Sequence, residues 1–178
     1  MEVAILSDMH VPEQADQLPE QFREHVEEAE HVVHAGDFGS KDAYADVRTL
    51  ATDLTAVYGN ADPNDLELPA VASVEVGGVT FVVMHGDVNP VERAVFDSQG
   101  VVTAREDWLD AIADVTRQRA DEPMVGIGGH SHDVEDTTHE GVRLLNPGSA
   151  TDVGRADGAT MMTAAVIDGD VDVTVHEA

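Results

Sequence analysis

The chain contains no cysteine. Disulfides and thiolate metal sites are therefore excluded, and a cytoplasmic setting is expected. Basic residues are also scarce. Nine Lys and Arg face thirty-six Asp and Glu, for a net charge of -27, and Lys41 is the one lysine. A non-specific nucleic-acid binder needs a basic face, and eight scattered arginines do not supply one. No apolar run approaches the roughly 18–20 residues of a membrane span. The first residues open on an apolar strand without a basic leader region, so neither a signal peptide nor membrane association is expected. Repeats and low-complexity segments are missing as well.

What is present begins with the acids. They run from Glu2 to Glu177 between apolar stretches and do not gather into a tail. Their spread implies an acidic surface adapted to high salt, as in halophiles. Self-repulsion at this charge is costly in dilute buffer, whereas at about 1 M salt the Debye length is roughly 3 Å. The 178 residues, 42% of them hydrophobic, suggest one domain over residues 1–178 with a full core.

The first third alternates strand and helix. Val3 to Leu6 is an apolar strand. Residues 19–30 carry Phe22, Val26 and Ala29 at helical spacing. Residues 31–35 form a strand, Asp42 to Thr52 a helix, and Leu54 to Tyr58 a third strand. That order calls for a largely parallel sheet with right-handed crossovers. Three hairpins follow, across Gly77-Gly78, Glu140-Gly141 and Asp168-Gly169-Asp170. Residues 105–119 are an amphipathic helix with Trp108, Ile112 and Val115 on one face, and Met124 to Ile127 is a further strand. The expected fold class is α/β: two packed mixed β-sheets with helices outside.

Five apolar runs end the same way. "VAIL" leads to Ser7-Asp8-Met9-His10, "HVVHA" to Gly36-Asp37, "TAVY" to Gly59-Asn60, "TFVVM" to His85-Gly86-Asp87, and "MVGIG" to Gly129-His130-Ser131-His132. In an open α/β sheet the loops at the carboxyl ends of strands build the site. Asp8, His10, Asp37, Asn60, His85, His130 and His132 therefore fall on one rim. Mixed oxygen and imidazole donors suit Mn, Fe, Ni, Co or Zn better than Ca or Mg alone. Seven donors exceed the needs of one ion with an open position, and they suit two ions if a carboxylate bridges.

In these motifs the chain resembles the calcineurin-like metallophosphoesterases, specifically the small YfcE-type phosphodiesterase branch. The resemblance rests on D-x-H, G-D, G-N, the strand-end His85 and G-H-x-H, and on Asn146-Pro147-Gly148-Ser149, which that branch also carries. It covers essentially the whole chain and implies the family's αββα sandwich. It also implies a ligand set. One ion would take Asp8, His10 and His132, the other Asn60, His85 and His130, with Asp37 between them, where Gly36 lets the backbone turn. The cofactors implied are two divalent transition-metal ions, manganese foremost, with Ni, Fe, Co or Zn as alternatives. The reaction implied is attack of a shared hydroxide on the phosphorus of a small phosphodiester or nucleotide-like substrate, in line with the leaving oxygen. A homodimer or larger homo-oligomer is compatible with the family.

Larger family members follow G-N with a histidine; here Ala61 stands there. The small branch often has a second histidine two residues past the strand-end one; here that position is Asp87. Asp62 and Asp87 are then the candidate proton donors by position, set against a role as carboxylates that orient a ligand histidine. His34 reads as a hydrogen-bonded interior residue. His25, His31, His139 and His176 read as surface or structural, and Trp108 as core. Asn146 to Ser149 offers either backbone donors near the site or a tight turn. Arg155 reads as a surface ion-pair residue. Residues 88–104 read as loop, and residues 87–107, with Arg93, Phe96 and Arg105, as either a lid or a packed segment. Two other functions stay open: a non-catalytic metal-binding interaction scaffold, since a eukaryotic retromer subunit shares this fold without catalytic competence, and a phosphomonoesterase or nucleotidase.

Overall fold

The computed structural model describes every residue except 92, 93, 95–99 and 153–157. Arg93, Phe96 and Arg155 lie outside the described residues. The elements are β1 (Glu2–Leu6), α1 (Glu20–Glu28), β2 (His31–His34), α2 (Lys41–Leu50), β3 (Leu54–Ala56), β4 (Val71–Val76), β5 (Val79–Met84), α3 (Arg105–Arg119), β6 (Met124–Ile127), β7 (Val134–His139), β8 (Val142–Pro147), β9 (Thr160–Ile167) and β10 (Asp170–Glu177).

These strands form two five-stranded mixed sheets, ordered β10-β9-β1-β2-β3 and β4-β5-β6-β8-β7. In the first, β1, β2 and β3 are parallel, and the β9–β10 hairpin is added antiparallel to β1. In the second, β5, β6 and β8 are parallel, and β4 and β7 close the edges antiparallel.

The two-residue period of the strands sorts their side chains into layers. Val3 and Ile5 of β1 point between the sheets, where they meet Val33, Phe81, Val83, Ile127 and Leu145. Ala4 and Leu6 point the other way, onto Phe22, Val26 and Val47 of the first two helices. On the far side, α3 lays Trp108, Leu109 and Ile112 on Val82, Met84 and Leu144. The layers run helix, sheet, sheet, helix. Central strands buried on both faces read as continuous apolar runs, which is why the sequence shows so many.

Several boundaries differ from expectation. α2 spans Lys41–Leu50 and stops two residues before Thr52, because Ala51 is already extended (ψ 134°). α1 ends at Glu28 because Ala29 is already extended (ψ 141°), leading directly into β2. β3 stops at Ala56. Val57 N–H makes one more ladder bond, to His34 O at 3.1 Å, and Tyr58 N–H then turns away to Pro69 O at 3.2 Å. The segment expected to be loop-like is helical at residues 90, 91 and 94 and carries one isolated bridge, Val88 to Val101, among its described residues. Among the described residues no helix is long and apolar enough to cross a membrane.

Candidate metal centre

The parallel strands β1, β2, β3, β5 and β6 each deliver a donor just past their carboxyl ends. The loops are stitched together by their backbones: Asp8 N–H donates to Gly36 O (3.0 Å), His10 N–H to Asp37 O (3.1 Å) and Gly129 N–H to His85 O (2.9 Å). To turn a side chain back over its own strand end, the backbone must leave the extended region at once. Asp8 (φ 55°), His10 (φ 48°), Asp37 (φ 60°), His130 (φ 69°) and His132 (φ 58°) all sit in the left-handed region. Such conformations are uncommon outside glycine, and clusters of them mark functional sites. They make up five of the eight non-glycine residues with positive φ among the described residues.

Side-chain distances divide the donors into two groups that share one carboxylate. In the first, His10 Nε2 and His132 Nε2 are 3.3 Å apart, and Asp8 Oδ1 lies 3.2 Å from His132 Nε2 and 3.8 Å from His10 Nε2. In the second, Asn60 Oδ1 is 3.0 Å from both His85 Nε2 and His130 Nδ1. Asp37 Oδ2 lies between the groups, 3.5 Å from His10 Nε2 and 3.4 Å from His85 Nε2. Its other oxygen is held by the Ala61 N–H at 2.7 Å. Gly59 makes room for it: a Cβ there would fall on Asp37 Oδ1. All seven residues named from the sequence therefore converge on one patch, and most of the patch is buried.

The residues fit divalent cations on their own geometry. Asp8 Oδ1 is buried and makes no hydrogen bond, an arrangement that is expensive unless a cation answers it. Two nitrogens on one ion at roughly 2.0–2.1 Å, near tetrahedral angles, stand roughly 3.3 Å apart, which is the His10–His132 separation. His85 directs Nδ1 at Ala35 O (2.8 Å) and so keeps Nε2 for a ligand. Asp8, His10 and His132, and Asp8, Asp37 and His85, are each close enough together to hold one ion.

The sequence profile of the calcineurin-like phosphoesterase superfamily domain matches residues 1–169. A probable metallophosphoesterase of Methanothermobacter thermautotrophicus is 32% identical over 171 residues, 96% of this chain and 88% of that one. This chain belongs to the calcineurin-like phosphoesterase superfamily. Among solved structures, Vps29 of Entamoeba histolytica complexed with zinc is 25% identical, with a TM-score of 0.70 over 99% of both chains. A predicted phosphoesterase from Streptococcus pneumoniae shares the fold at 19% identity, with a TM-score of 0.64 over 99% of this chain and 88% of that one. This is a metal-dependent family, in keeping with the clusters Asp8, His10, His132 and Asp8, Asp37, His85.

Electrostatics in this calcineurin-like centre follow from crowded charge. Burial works to raise the Asp8 carboxyl, but His10, His132 and the charge on His85 overcome it and hold it well below the usual carboxylate range. Burial likewise opposes ionisation of Asp37, and the neighbouring His85 brings it down. His85 is pulled down by burial, yet Asp37 and Asp8 push it up to about 9. Without a metal, a histidine raised in this way favours its protonated form beside the two carboxylates. His130 is lowered, first by burial and then by the charge on His85.

The other candidate residues separate cleanly. Asp62 has both carboxylate oxygens occupied by backbone amides: Oδ2 accepts from Asp37 N (3.0 Å) and Gly59 N (2.8 Å), and Oδ1 from Gly39 N (3.0 Å). It orients the loop that carries Asp37 and touches no ligand histidine. Asp87 stands near His130, where its charge opposes the lowering. His34 is fully buried, stacks on Phe38 at 3.6 Å between centroids, and accepts the Gly36 N–H at Nδ1. Burial pushes it down to about 3, so it is neutral. His25 packs on His176 at 4.0 Å, His31 bonds Thr55, and His139 bonds Asp110. Arg105 is engaged by Glu135 through Nε–Oε1 and Nη2–Oε2.

The sequence alone did not expose the bracing beneath the loops. Asn146 to Ser149 acts through the Asn146 and Ser149 side chains and the Gly148 carbonyl. Asn146 Nδ2 donates to Gly129 O and Ser131 Oγ, both at 3.0 Å, Ser149 Oγ to Asp8 O at 2.8 Å, and Ser7 Oγ to Gly148 O at 2.7 Å. Trp108 does more than fill core. Its Nε1 donates to Gly129 O at 3.0 Å, and its ring lies where a Cβ on Gly86 or Gly128 would stand. One side chain thus fixes the loops of both His85 and His130. The motif spelled N-P-G-S and the lone Trp were visible signals; their partners, at least 17 residues away in sequence for each of these loop contacts apart from Asn146–Ser131, were not.

Proposed function

We propose that the protein is a metal-dependent phosphodiesterase that uses two divalent transition-metal ions, manganese foremost. The observation that carries the reading is Asp37. Its Oδ2 faces a histidine of each donor group, 3.5 and 3.4 Å away, while the Ala61 N–H holds Oδ1. Asp8, His10 and His132 would hold one ion, Asn60, His85 and His130 the other, and Asp37 both.

When bound, such ions supply Lewis acidity to phosphoryl oxygens and lower the pKa of coordinated water towards neutrality. The protein's own share is placement. The left-handed backbone at five donors aims them inward, and Asp62, Asn146, Ser149 and Trp108 hold the loops rigid. With Ala61 where larger relatives have histidine, and with Asp62 tied to three amides, Asp87 beside His130 is the carboxylate left to supply a proton to a leaving group. Good leaving groups, which need none, should react much faster than alkoxides.

The test uses metal-stripped protein at molar salt, as the acidic surface suggests, resupplied with Mn, Ni, Co, Zn or Mg. An aryl phosphodiester and its monoester are compared, with Asp37→Asn in parallel. Metal-dependent diester turnover that falls by about a hundredfold or more in Asp37→Asn is expected. Preferential monoester turnover would make the protein a phosphomonoesterase. No turnover by folded protein that binds two ions would leave the scaffold role.

A further inference from the structure

A cavity of about 240 Å³ opens directly beside the candidate metal centre, and His130 belongs to both. Its inner wall is apolar, formed by Val102, Ala104 and the Trp108 ring. Its polar groups are Thr103, Arg105, His130, Ser131, Asp133 and Glu135. We infer that this cavity seats the second organic arm of the phosphodiester, the arm that is not the leaving group. We infer further that it selects an uncharged or cationic alcohol over an arm carrying another anionic group. The inference rests on the phosphodiesterase reading and names its substrate class.

Position comes first. A diester has two organic groups, and a metal centre has no means of recognising the one that stays. His130 presents Nδ1 to Asn60 on the metal side and lines the cavity on the other. An ester held at the centre therefore reaches the cavity through its own bonds. The apolar wall, with few polar groups set into it, is the make-up of a small-molecule site.

Charge decides the class. Arg105 is the guanidinium in the cavity, and a phosphate would normally seek it. Glu135 engages it in a two-pronged pair, the geometry that satisfies a guanidinium most fully. The Arg105–Glu135 pair is neutral as a whole, so it offers no spare cation to a second anionic group. The whole surface, at a net charge of -27, repels anions further. A second phosphate or carboxylate on the arm meets like charge, and a quaternary ammonium or a hydroxyl does not. Ser131 Oγ accepts from Asn146 Nδ2 and Asp133 N–H, so its own proton remains to donate. Nucleoside polyphosphates and oligonucleotides are accordingly poor substrates; small headgroup-type diesters are good ones.

The test has a binding arm and a turnover arm. Trp108 is the sole tryptophan and lines the cavity, so its emission reports occupancy without any hydrolysis. Metal-stripped protein is titrated with choline phosphate, glycerol phosphate and phosphoglycolate. The first two are expected to change Trp108 emission, and phosphoglycolate to bind about tenfold more weakly or worse. In metal-loaded protein, p-nitrophenyl phosphodiesters with choline, ethyl and glycolate arms should rank the same way in kcat/KM.

Two variants then probe the wall. Glu135→Gln releases Arg105 and should raise the glycolate-to-ethyl ratio of kcat/KM about fivefold or more. Ala104→Phe fills the cavity and should raise KM for the diesters about tenfold relative to p-nitrophenyl phosphate, which has no second arm. The inference is overturned if emission does not respond, if the Glu135→Gln ratio stays put, or if Ala104→Phe damages monoester and diester alike. Absence of all turnover alongside the expected emission ranking would instead sink the phosphodiesterase reading and leave a binding site with this selectivity.

Discussion

Replacing Asp62 separates a positioning carboxylate from a proton donor. Burial raises its pKa above the ordinary carboxyl value, even though the amides of Gly59, Gly39 and Asp37 pull the other way. A raised pKa is what an acid catalyst needs, but the geometry argues for a staple. Asp62→Asn keeps the shape and exchanges one acceptor oxygen for an NH2 group. If the amide oxygen keeps Asp37 and Gly59, the NH2 faces the Gly39 N–H, donor against donor. One unsatisfied, partly buried donor costs about 1–3 kcal/mol, which for a chain of this size is a loss of roughly 4–8 °C in Tm at the middle of that range. Asp62→Ala frees all three amides and should cost about 2–5 kcal/mol. Because the Asp37 amide is one of the three, the Asp37 carboxylate moves too, and a displacement near 1 Å costs about a hundredfold in rate. The assay is kcat/KM on diesters with aryl and alkyl leaving groups across pH, beside calorimetric Tm and metal affinity. A staple predicts equal proportional losses on both leaving groups, an unshifted pH profile, and metal binding weakened about 10–100-fold. A selective loss of alkyl turnover with wild-type Tm and metal affinity would refute the reasoning and make Asp62 the acid.

Two further predictions concern the bracing and the proton content of the site. Trp108→Phe removes the Nε1 bond to Gly129 O, but that carbonyl keeps Asn146 Nδ2 at 3.0 Å. The expected cost is therefore about 1–2 kcal/mol of stability, with metal affinity falling more than the Tm shift alone implies, and calorimetry beside metal titration would check it. His85 is raised from 6.5 to about 9 by Asp37 and Asp8 against the pull of burial. A raised histidine contributes its stability in full below about pH 6.5 and loses it as the pH climbs through about 9, a swing of roughly 3 kcal/mol. Metal-stripped protein should lose Tm steadily between those values. Metal-loaded protein should not, since a metal ligand is already deprotonated. A flat profile for the stripped protein would contradict the imidazolium assigned to His85.

Much of the architecture could be read from residue order, because its signals are local. Val3 to Leu6, Phe81 to Met84 and Met124 to Ile127 are apolar without interruption, which a strand buried on both faces requires. Gly77-Gly78 and Glu140-Gly141 mark their turns by the backbone those residues tolerate. The seven donors were legible for the same reason: each follows directly on a strand, and parallel strands carry their successors to one edge of a sheet. Strand β3 was read two residues too long because the sequence cannot show Tyr58 turning away to Pro69.

The tertiary structure alone decided how those donors are grouped and what the remaining residues do. His10 and His132 are 122 positions apart and 3.3 Å apart in space. No periodicity encodes that distance, which arises from two sheets packing face to face. From its place after Gly59-Asn60, Asp62 reads as either a proton donor or an orienting carboxylate, and three backbone amides from two loops claim its oxygens. Trp108 reads as core until the Gly129 carbonyl is found on its indole nitrogen. Which residues supply oxygen and nitrogen is a matter of chemistry written one position at a time. Which of them share an ion, brace a loop or face a cavity depends on contacts between distant segments, and those exist only once the layers have closed.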